Sequence, residues 1–270
     1  MNDPGSAEYR LRSRWQLLDT GARSGDWNMA FDRVLLEAVA DGEALVLRFY
    51  SWSAPTLSFG RMQRAPQGLL RRCAEFGVMA VRRPTGGKAI LHHHEVTFSI
   101  VAPSAGLGSI IESYRVFARA IAAGLRTLGV ESTLCEPREA PRRGDLLCFA
   151  APAQCDLEIG GKKLLGSAQA RHGRALLQQN SLPLRLSDDV KQRLFGAGAA
   201  EEEARIATDL TTALGHEPAF DQVRDAVAVG FERELGATFE LREMTAYEST
   251  MAEGLKGKFA MGGGPGDPSS

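Results

Sequence analysis

Apolar residues follow two different spacings along this chain of 270 residues. Where they recur three and four residues apart, they predict amphipathic helices. The first such stripe starts at Trp27, with Asp26 as its expected N-cap, and the longest runs from Ile110 to Leu128 and ends at Gly129. Further helices are predicted at 66–75, at two places after Ser187, and at 220–235.

Short runs rich in β-branched and aromatic residues lie between these stripes and predict strands. They fall at 15–20, 44–50, 56–59, 78–82 and 96–101, and short turn-bounded strands follow over 147–184. Gly160-Gly161 predicts a hairpin turn, after which Lys163 opens the second arm. Because strands and helices intersperse without a strict βαβ repeat, the pattern predicts an α+β (mixed α/β) domain with antiparallel or mixed sheets flanked by helices.

The same pattern divides the chain into four parts. We expect an N-terminal extension over 1–14, a catalytic core over 15–186, and a mostly helical part over 187–257 that belongs to the same domain or forms a small subdomain. Residues 258–270 end in MGGGPGDPSS, which offers no side chains that could pack, so a disordered tail is expected there.

Composition excludes several classes of function. The 32 basic and 33 acidic side chains nearly cancel, which argues against nucleic acid as a partner. No apolar run reaches the length of about 18 residues that a membrane span needs, and the N-terminus lacks the apolar stretch of a secretory signal. The four cysteines form no CxxC pair, which favours a reducing, cytoplasmic setting with free thiols.

Familiar enzyme motifs are incomplete. The run Thr85-Gly86-Gly87-Lys88-Ala89 fails as a phosphate-binding loop because Ala89 replaces the Mg-binding hydroxyl residue. The three histidines at 92–94 lie next to one another, so on a strand at most His92 and His94 share a face, and a metal site is not expected.

Two segments carry a consistent chemistry. Residues 82–92 read RRPTGGKAILH, and residues 161–169 read GKKLLGSAQ. Adjacent glycines let a ligand approach the backbone closely and expose amide donors. Arg82, Arg83 and Lys88 place positive charge on both sides of these glycines.

In these two segments the chain resembles the lipoate/biotin protein ligase superfamily, whose lipoate branch has an RR-x-x-GG-x-A-V-x-H stretch followed by G-x-K-x-x-G-S-A. The resemblance spans about 15–231; Lys88 departs from it, since Gly or Arg is usual there. It implies that Lys163 is the active-site lysine that contacts the acyl carbonyl oxygen. The substrate-binding residues implied with it are Arg82, Arg83, Gly86, Gly87, Lys88, His92, Gly166, Ser167 and Ala168.

Within the superfamily, Cys148-Phe149 upstream of the lysine resembles the cysteine-dependent octanoyltransferases, and this resemblance implies that Cys148 is the nucleophile. The H-D-x-G-N stretch of ATP-dependent lipoate ligases is replaced by His92-His93-His94-Glu95-Val96. Cys155 has no counterpart role, and no cysteine follows Lys163.

The function implied is transfer of an octanoyl group from octanoyl-acyl carrier protein, through a thioester on Cys148, to the target lysine of a lipoyl-domain protein. Such acceptors include the glycine cleavage H protein and 2-oxoacid dehydrogenases. No cofactor or metal is needed, and a monomer is expected. Trp27, Phe59 and Leu164 are candidates for the acyl tunnel or for the core.

Three alternatives stay open at this point. An ATP-dependent lipoate-protein ligase would retain the same fold and lysine, and an amidotransferase would move acyl groups between lipoyl domains through a cysteine. A degenerate protein would bind acyl groups without turnover, but retention of both Cys148 and Lys163 argues against it.

Overall fold

A computed structural model describes residues 11–42, 44–135, 156–186 and 189–262. Cys148 and Cys155 therefore lie outside the described residues.

Within these ranges the chain forms twelve strands. They are β1 (Arg14–Arg23), β2 (Leu45–Trp52), β3 (Thr56–Phe59), β4 (Met79–Arg82), β5 (Ile90–His92), β6 (Glu95–Pro103), β7 (Thr133–Leu134), β8 (Leu157–Ile159), β9 (Lys162–His172), β10 (Ala175–Pro183), β11 (Thr238–Leu241) and β12 (Ala260–Met261).

Eight α-helices accompany them in the same described ranges. They are α1 (Gly25–Ala40), α2 (Gln67–Glu75), α3 (Ile110–Thr127), α4 (Asp189–Phe195), α5 (Ala199–Ile206), α6 (Leu210–Leu214), α7 (Phe220–Leu235) and α8 (Ala246–Leu255). None of the described helices is both long and apolar enough to cross a membrane.

The strands build two mixed sheets. The large sheet has the order β11-β1-β2-β6-β10-β9-β8-β7, and the small one has the order β12-β4-β3-β5. In the large sheet β1 pairs in parallel with both β2 and β11, while the strands from β2 onward pair antiparallel. The predicted α+β fold with mixed sheets flanked by helices is confirmed.

Each face of the large sheet is covered by helices. The α3 stripe and α7 cover one face in a core that contains Trp15, Phe117 and Phe231, and the α1 stripe covers the other face with Phe31. Trp15 and Phe231 meet edge to face with ring centroids 5.4 Å apart, a favoured aromatic geometry. The apolar stripes predicted for α1 and α3 are therefore buried against the strands of the large sheet.

Helix starts follow local hydrogen bonding. At α3, the Ser109 hydroxyl accepts a hydrogen bond from the Glu112 amide, and the Glu112 carboxylate accepts one from the Ser109 amide, so both amides are satisfied. At α1 the expected N-cap was wrong: Ser24 occupies that position, and Asp26 lies in the first turn, where its carboxylate accepts from Ser24 Oγ and from the Trp27 amide.

Residues near the end of the described chain join the small sheet. Ala260 and Met261 pair with Val81 and Ala80 of β4, although the sequence places them in an unstructured tail. Backbone pairing requires no large side chains, and the partly buried Phe259 packs against the clusters under α1 and beside β4.

Candidate active site

A narrow cavity opens between the two sheets beneath the glycine stretch. Its volume is about 20 Å³, and its walls come from α1, β2, β5, β6, β9, β10 and Arg83. Such a volume holds little more than one water molecule.

The strand register fixes which part of the sheet lies under the cavity. Gly166 pairs with Ser181, and Ser181 pairs with Thr97, so these residues form one row across the sheet. Two residues further along, Ala168 pairs with Gln179 in the next row. All five residues line the cavity. The floor therefore spans two rows, about 7 Å apart at the usual strand rise.

Arg83 holds the glycine stretch in place. Its guanidinium is buried and donates to the carbonyl oxygens of Gly86 (2.6 Å) and Lys88 (2.7 Å), and also to the carbonyl of Ser58 (3.0 Å). Its own amide donates to the Phe59 carbonyl. The guanidinium is thus committed to positioning backbone.

Gly60 lies directly against this stretch. A Cβ atom built on Gly60 would overlap the carbonyl oxygen and carbon of Gly87 and would crowd Gly86. The backbones of the 60 and 86–87 segments can therefore approach this closely only if residue 60 has no side chain.

A buried polar chain supports Arg83 from below. His92 Nδ1 lies 2.7 Å from Glu95 Oε1, and His92 Nε2 lies 2.7 Å from Ser58 Oγ, which also accepts from Arg83. The His92 ring stacks on Trp52 with ring centroids 4.0 Å apart.

Glu95 stays ionised at the base of this chain. Burial alone would raise the pKa of its carboxyl, but the charge and hydrogen bond of His92 and the hydroxyls of Thr97 and Ser181 together hold the pKa below the ordinary value of 4.5.

A second buried network holds the start of the glycine stretch. Thr85 Oγ1 donates to Gln179 Oε1 (2.6 Å), and Gln179 Nε2 donates to Asp32 Oδ2 (2.7 Å). Asp32 is in turn paired with the fully buried Arg48 (2.6 Å). Gln179 belongs to the second row of the cavity floor, the row of Ala168, which we call the far row. Its side chain therefore connects the far row to the glycine stretch.

Lys163 is buried beside a carboxylate. Its Nζ lies 2.6 Å from Asp156 Oδ2, and both side chains are almost fully enclosed. The Lys163 backbone pairs with Ala207, and Ala207 packs against Ile90, which lines the cavity. Lys163 thus lies towards the Gly166 end of the cavity, three residues earlier on the same strand.

A larger, basic cleft lies beyond the far row. It has a volume of about 340 Å³ and shares Arg83 with the narrow cavity. Among the described residues its charged lining comprises Arg33, Arg61, Arg82, Arg83, Arg171 and Lys258, and one carboxylate, that of Glu37.

Two cysteines lie within the described ranges, and both are protonated at neutral pH. Burial raises the pKa of the Cys73 thiol to about 11. Burial, together with a hydrogen bond to Glu158, raises the pKa of the Cys135 thiol to about 12. Neither is an effective nucleophile. In the described ranges no group of three or more His, Cys, Asp or Glu side chains could hold a metal ion.

Comparison with known proteins gives a consistent result. Residues 24–232 match the lipoyl protein ligase A/B catalytic domain. The octanoyltransferase LipM of Kyrpidia tusciae is 38% identical over 267 residues, covering 91% of this chain and 96% of the relative. That of Exiguobacterium sp. is 39% identical, covering 84% and 88%.

The chain belongs to the lipoyl protein ligase A/B catalytic family. It is an acyltransferase. The fold agrees with the structure of a lipoate protein ligase from T. acidophilum with bound lipoic acid, which has a TM-score of 0.74 at 23% identity and covers 91% of this chain and 95% of that one.

The structure brings several of the predicted family site residues together. Arg83, His92, Gly166 and Ala168 line the narrow cavity, and Gly86, Gly87 and Lys88 follow in the stretch that Arg83 holds. Cys148 lies outside the described residues.

Two of the predicted substrate-binding residues, Arg82 and Ser167, form hydrogen bonds to neighbouring protein groups. Arg82 donates to the carbonyls of Gly60, Arg61 and Gln63. The Ser167 hydroxyl donates to Asn180 Oδ1. Their roles as substrate-binding residues stay predictions.

The three tunnel candidates belong to the core. Trp27, Phe59 and Leu164 each lie in a different buried cluster, and none of them lines the cavity.

Sequence reasoning missed the supporting residues Ser58, Gly60, Asp156, Gln179 and Met29. Each lies on an element remote from the glycine motif, and no spacing along the chain relates it to that motif. The one available signal was the acidic residue Asp156, seven residues before Lys163.

Proposed function

We propose that this acyltransferase moves an octanoyl group from octanoyl-acyl carrier protein to the target lysine of a lipoyl-domain protein, through a thioester on Cys148. The observation that carries this proposal is the buried Lys163–Asp156 pair next to a narrow cavity, in a chain whose relatives are octanoyltransferases.

In the first step the Cys148 thiolate attacks the carbonyl carbon of the donor thioester. The carrier's pantetheine thiolate leaves and takes up a proton, which conserves the thioester on Cys148. In the second step the neutral amine of the acceptor lysine attacks that carbonyl, the bond between the carbonyl carbon and the Cys148 sulfur breaks, and Cys148 leaves as a thiolate. The amine gives up one proton to solvent, and the product is an amide. The raised pKa values of Cys73 and Cys135 support Cys148 as the thiol that reacts.

Lys163 stabilises the oxyanion that forms in both steps. Its ammonium is a cation held in a dry environment, where a charge acts strongly on a developing negative oxygen. Asp156 Oδ2 lies 2.6 Å from the lysine nitrogen and offsets the cost of burying that charge.

The glycine stretch supplies the second side of the site. Gly87 has a φ of +90°, and Gly86 and Gly87 carry no side chains, so their amides can face the acyl carbonyl. Arg83 and Thr85 hold this stretch from both sides, which keeps the amides fixed during reaction.

The acidic carrier protein of this scheme needs a basic docking surface, and the arginines and lysine that line the larger cleft support that docking. The acceptor class is a lipoyl-domain protein such as the glycine cleavage H protein. The monomeric state and the cytoplasmic location stay predictions.

The first experiment is intact-protein mass spectrometry after mixing the protein with octanoyl-acyl carrier protein without ATP. We expect one octanoyl group on the wild type and on Cys155→Ser, none on Cys148→Ser, and discharge when a lipoyl domain is added. Octanoylation of the lipoyl domain only when free octanoate and ATP are supplied would instead identify an ATP-dependent ligase.

The remaining alternative, an amidotransferase, is tested with lipoyl domains that already carry an octanoyl group. If these domains load Cys148 faster than the carrier thioester does, the enzyme is an amidotransferase.

A further inference from the structure

The walls of the narrow cavity differ in how far they can move. The Trp52 indole donates to Thr97 Oγ1 (2.7 Å) and stacks on His92, and Tyr50 donates to Asp32. Gln179 is fixed at both ends of its amide by Thr85 and Asp32. These side chains cannot yield to a ligand without breaking buried hydrogen bonds.

Met29 is the exception. It is 2% exposed, lines the cavity from α1, and its sulfur receives one contact, from Gln179 Nε2 at 3.3 Å. Methionine is unbranched and has three rotatable bonds, so it adopts new rotamers at low cost. Ile90, the other aliphatic wall residue, is β-branched and stiff.

Met29 also occupies the far end of the cavity. Its contact Gln179 belongs to the row of Ala168, whereas Lys163 lies towards the Gly166 end. At this end α1 packs on the sheet through Phe31, Leu35 and their neighbours, and Met29 is the α1 residue that lines the cavity itself. A chain whose carbonyl lies near Lys163 therefore points its terminal methyl at Met29.

We propose that Met29 sets the acyl-chain length that this enzyme accepts. The inference rests on the proposed function, because it takes the cavity to be the acyl site. A cavity of about 20 Å³ must widen to hold an eight-carbon chain, and rotation of the Met29 side chain provides that space. How far Met29 can retract limits how many methylenes fit.

The test is isothermal titration calorimetry with free hexanoate, octanoate, decanoate and dodecanoate, which measures the cavity without any transfer. We expect the wild type to bind octanoate tightest. Met29→Ala should improve binding of decanoate relative to octanoate by about fifteenfold, since each additional buried methylene contributes about fourfold. Met29→Phe should favour hexanoate.

Met79→Ala is the matched control. Met79 packs against the same cluster as Met29, Tyr50 and Trp52 but does not line the cavity, so its truncation loosens the same core. We expect it to retain the wild-type order. The proposal is overturned if Met29→Ala keeps that order, if Met79→Ala shifts it equally, or if the wild type binds none of the acids.

Transfer from carrier thioesters of the same four lengths to a lipoyl domain separates the two proposals. If acid binding shifts as expected but the wild type transfers no acyl group, the proposed function fails and the role of Met29 stands. If the wild type transfers octanoyl groups and the Met29 variants keep its chain-length preference, only the inference about Met29 fails.

Discussion

At the scale of single residues, the site is held by buried charges that are paired with protein groups. Arg83 donates to backbone carbonyls, and Lys163 lies against Asp156. An ion removed from water is tolerated only where such partners replace its hydration. These side chains are therefore fixed in place before any substrate arrives, which is the condition for electrostatic catalysis.

Lys163→Gln tests the oxyanion role. We expect kcat for octanoyl transfer to fall about 10²–10³-fold, since a preorganised donor is lost. Lys162→Gln is the matched control, because Lys162 is exposed and donates only to the Ala204 carbonyl. Adding Asp156→Asn also removes the buried negative charge that has lost its cationic partner. Near wild-type kcat in the stably folded double variant would argue against a catalytic Lys163.

Gly60→Ala tests whether the glycine stretch must lie where it does. The new methyl group would collide with the Gly87 carbonyl, so the stretch must shift, and a displacement near 1 Å can cost about 10²-fold in rate. Steady-state transfer kinetics measures this. Gly68→Ala in α2 meets no atom within 4 Å and should leave the rate unchanged. Equal rates for the two variants would contradict the tight contact.

At the scale of elements, two glycines determine how closely α3 and α7 cross. A Cβ on Gly230 would overlap the Ala120 carbonyl oxygen and the Gly124 amide nitrogen, and one on Gly124 would overlap the Ala226 carbonyl. Helix backbones in direct contact need small residues at the crossing point. This crossing seals the core around Trp15, Phe117 and Phe231.

Gly230→Ala should therefore lower the free energy of unfolding by about 1–3 kcal/mol through overpacking. Urea denaturation followed by circular dichroism gives this quantity. Gly254→Ala makes the same change in α8, where the new methyl meets nothing within 4 Å, and should raise stability by up to about 1 kcal/mol. A stabilised Gly230→Ala would show that the helices can move apart.

Elements with strong local signals could be predicted from the sequence. The α3 stripe and the β3 run at Thr56–Phe59 were found because their pattern is complete within one element. The strand β11, which lies at the edge of the sheet with Leu241 exposed, was missed because its stability comes from pairing with β1. Three helices instead of two lie between Asp189 and Leu214, since short helices carry little periodic signal.

At the scale of the whole molecule, a buried hydrogen-bond chain joins the two sheets. Glu95 begins β6 of the large sheet, and His92 ends β5 of the small one. Ser58 on β3 continues the chain to Arg83. The relative position of the sheets, and hence the cavity between them, depends on these polar contacts.

The ionisation of Glu95 gives the fold a pH dependence. Since its pKa in the folded state is below the ordinary 4.5, its stabilisation is fully present above that value and is lost as the pH falls further. Urea unfolding between pH 6 and pH 3 should show a steeper loss for the wild type than for Glu95→Gln. Parallel curves would show that Glu95 contributes nothing to acid sensitivity.

Some residues of the site could also be predicted from a local sequence motif, and others could not. The glycine motif and Lys163 were visible as short sequence patterns, whereas Gln179, Ser58 and Met29 reach them from other strands and from α1. Only the strand register brings them within hydrogen-bonding distance. A motif thus identifies candidate site residues, and the tertiary fold supplies the residues that hold them in place.

The parallel pairing of β1 with β11 has a consequence for how the chain is made. Trp15 pairs with Phe239 and packs on Phe231, so one of the first strands to be synthesised must wait for one of the last. Until residues 238–241 have left the ribosome, that edge of β1 and its tryptophan lack their partners. Contacts so distant in sequence form slowly, and the nascent strand is then open to association with other chains.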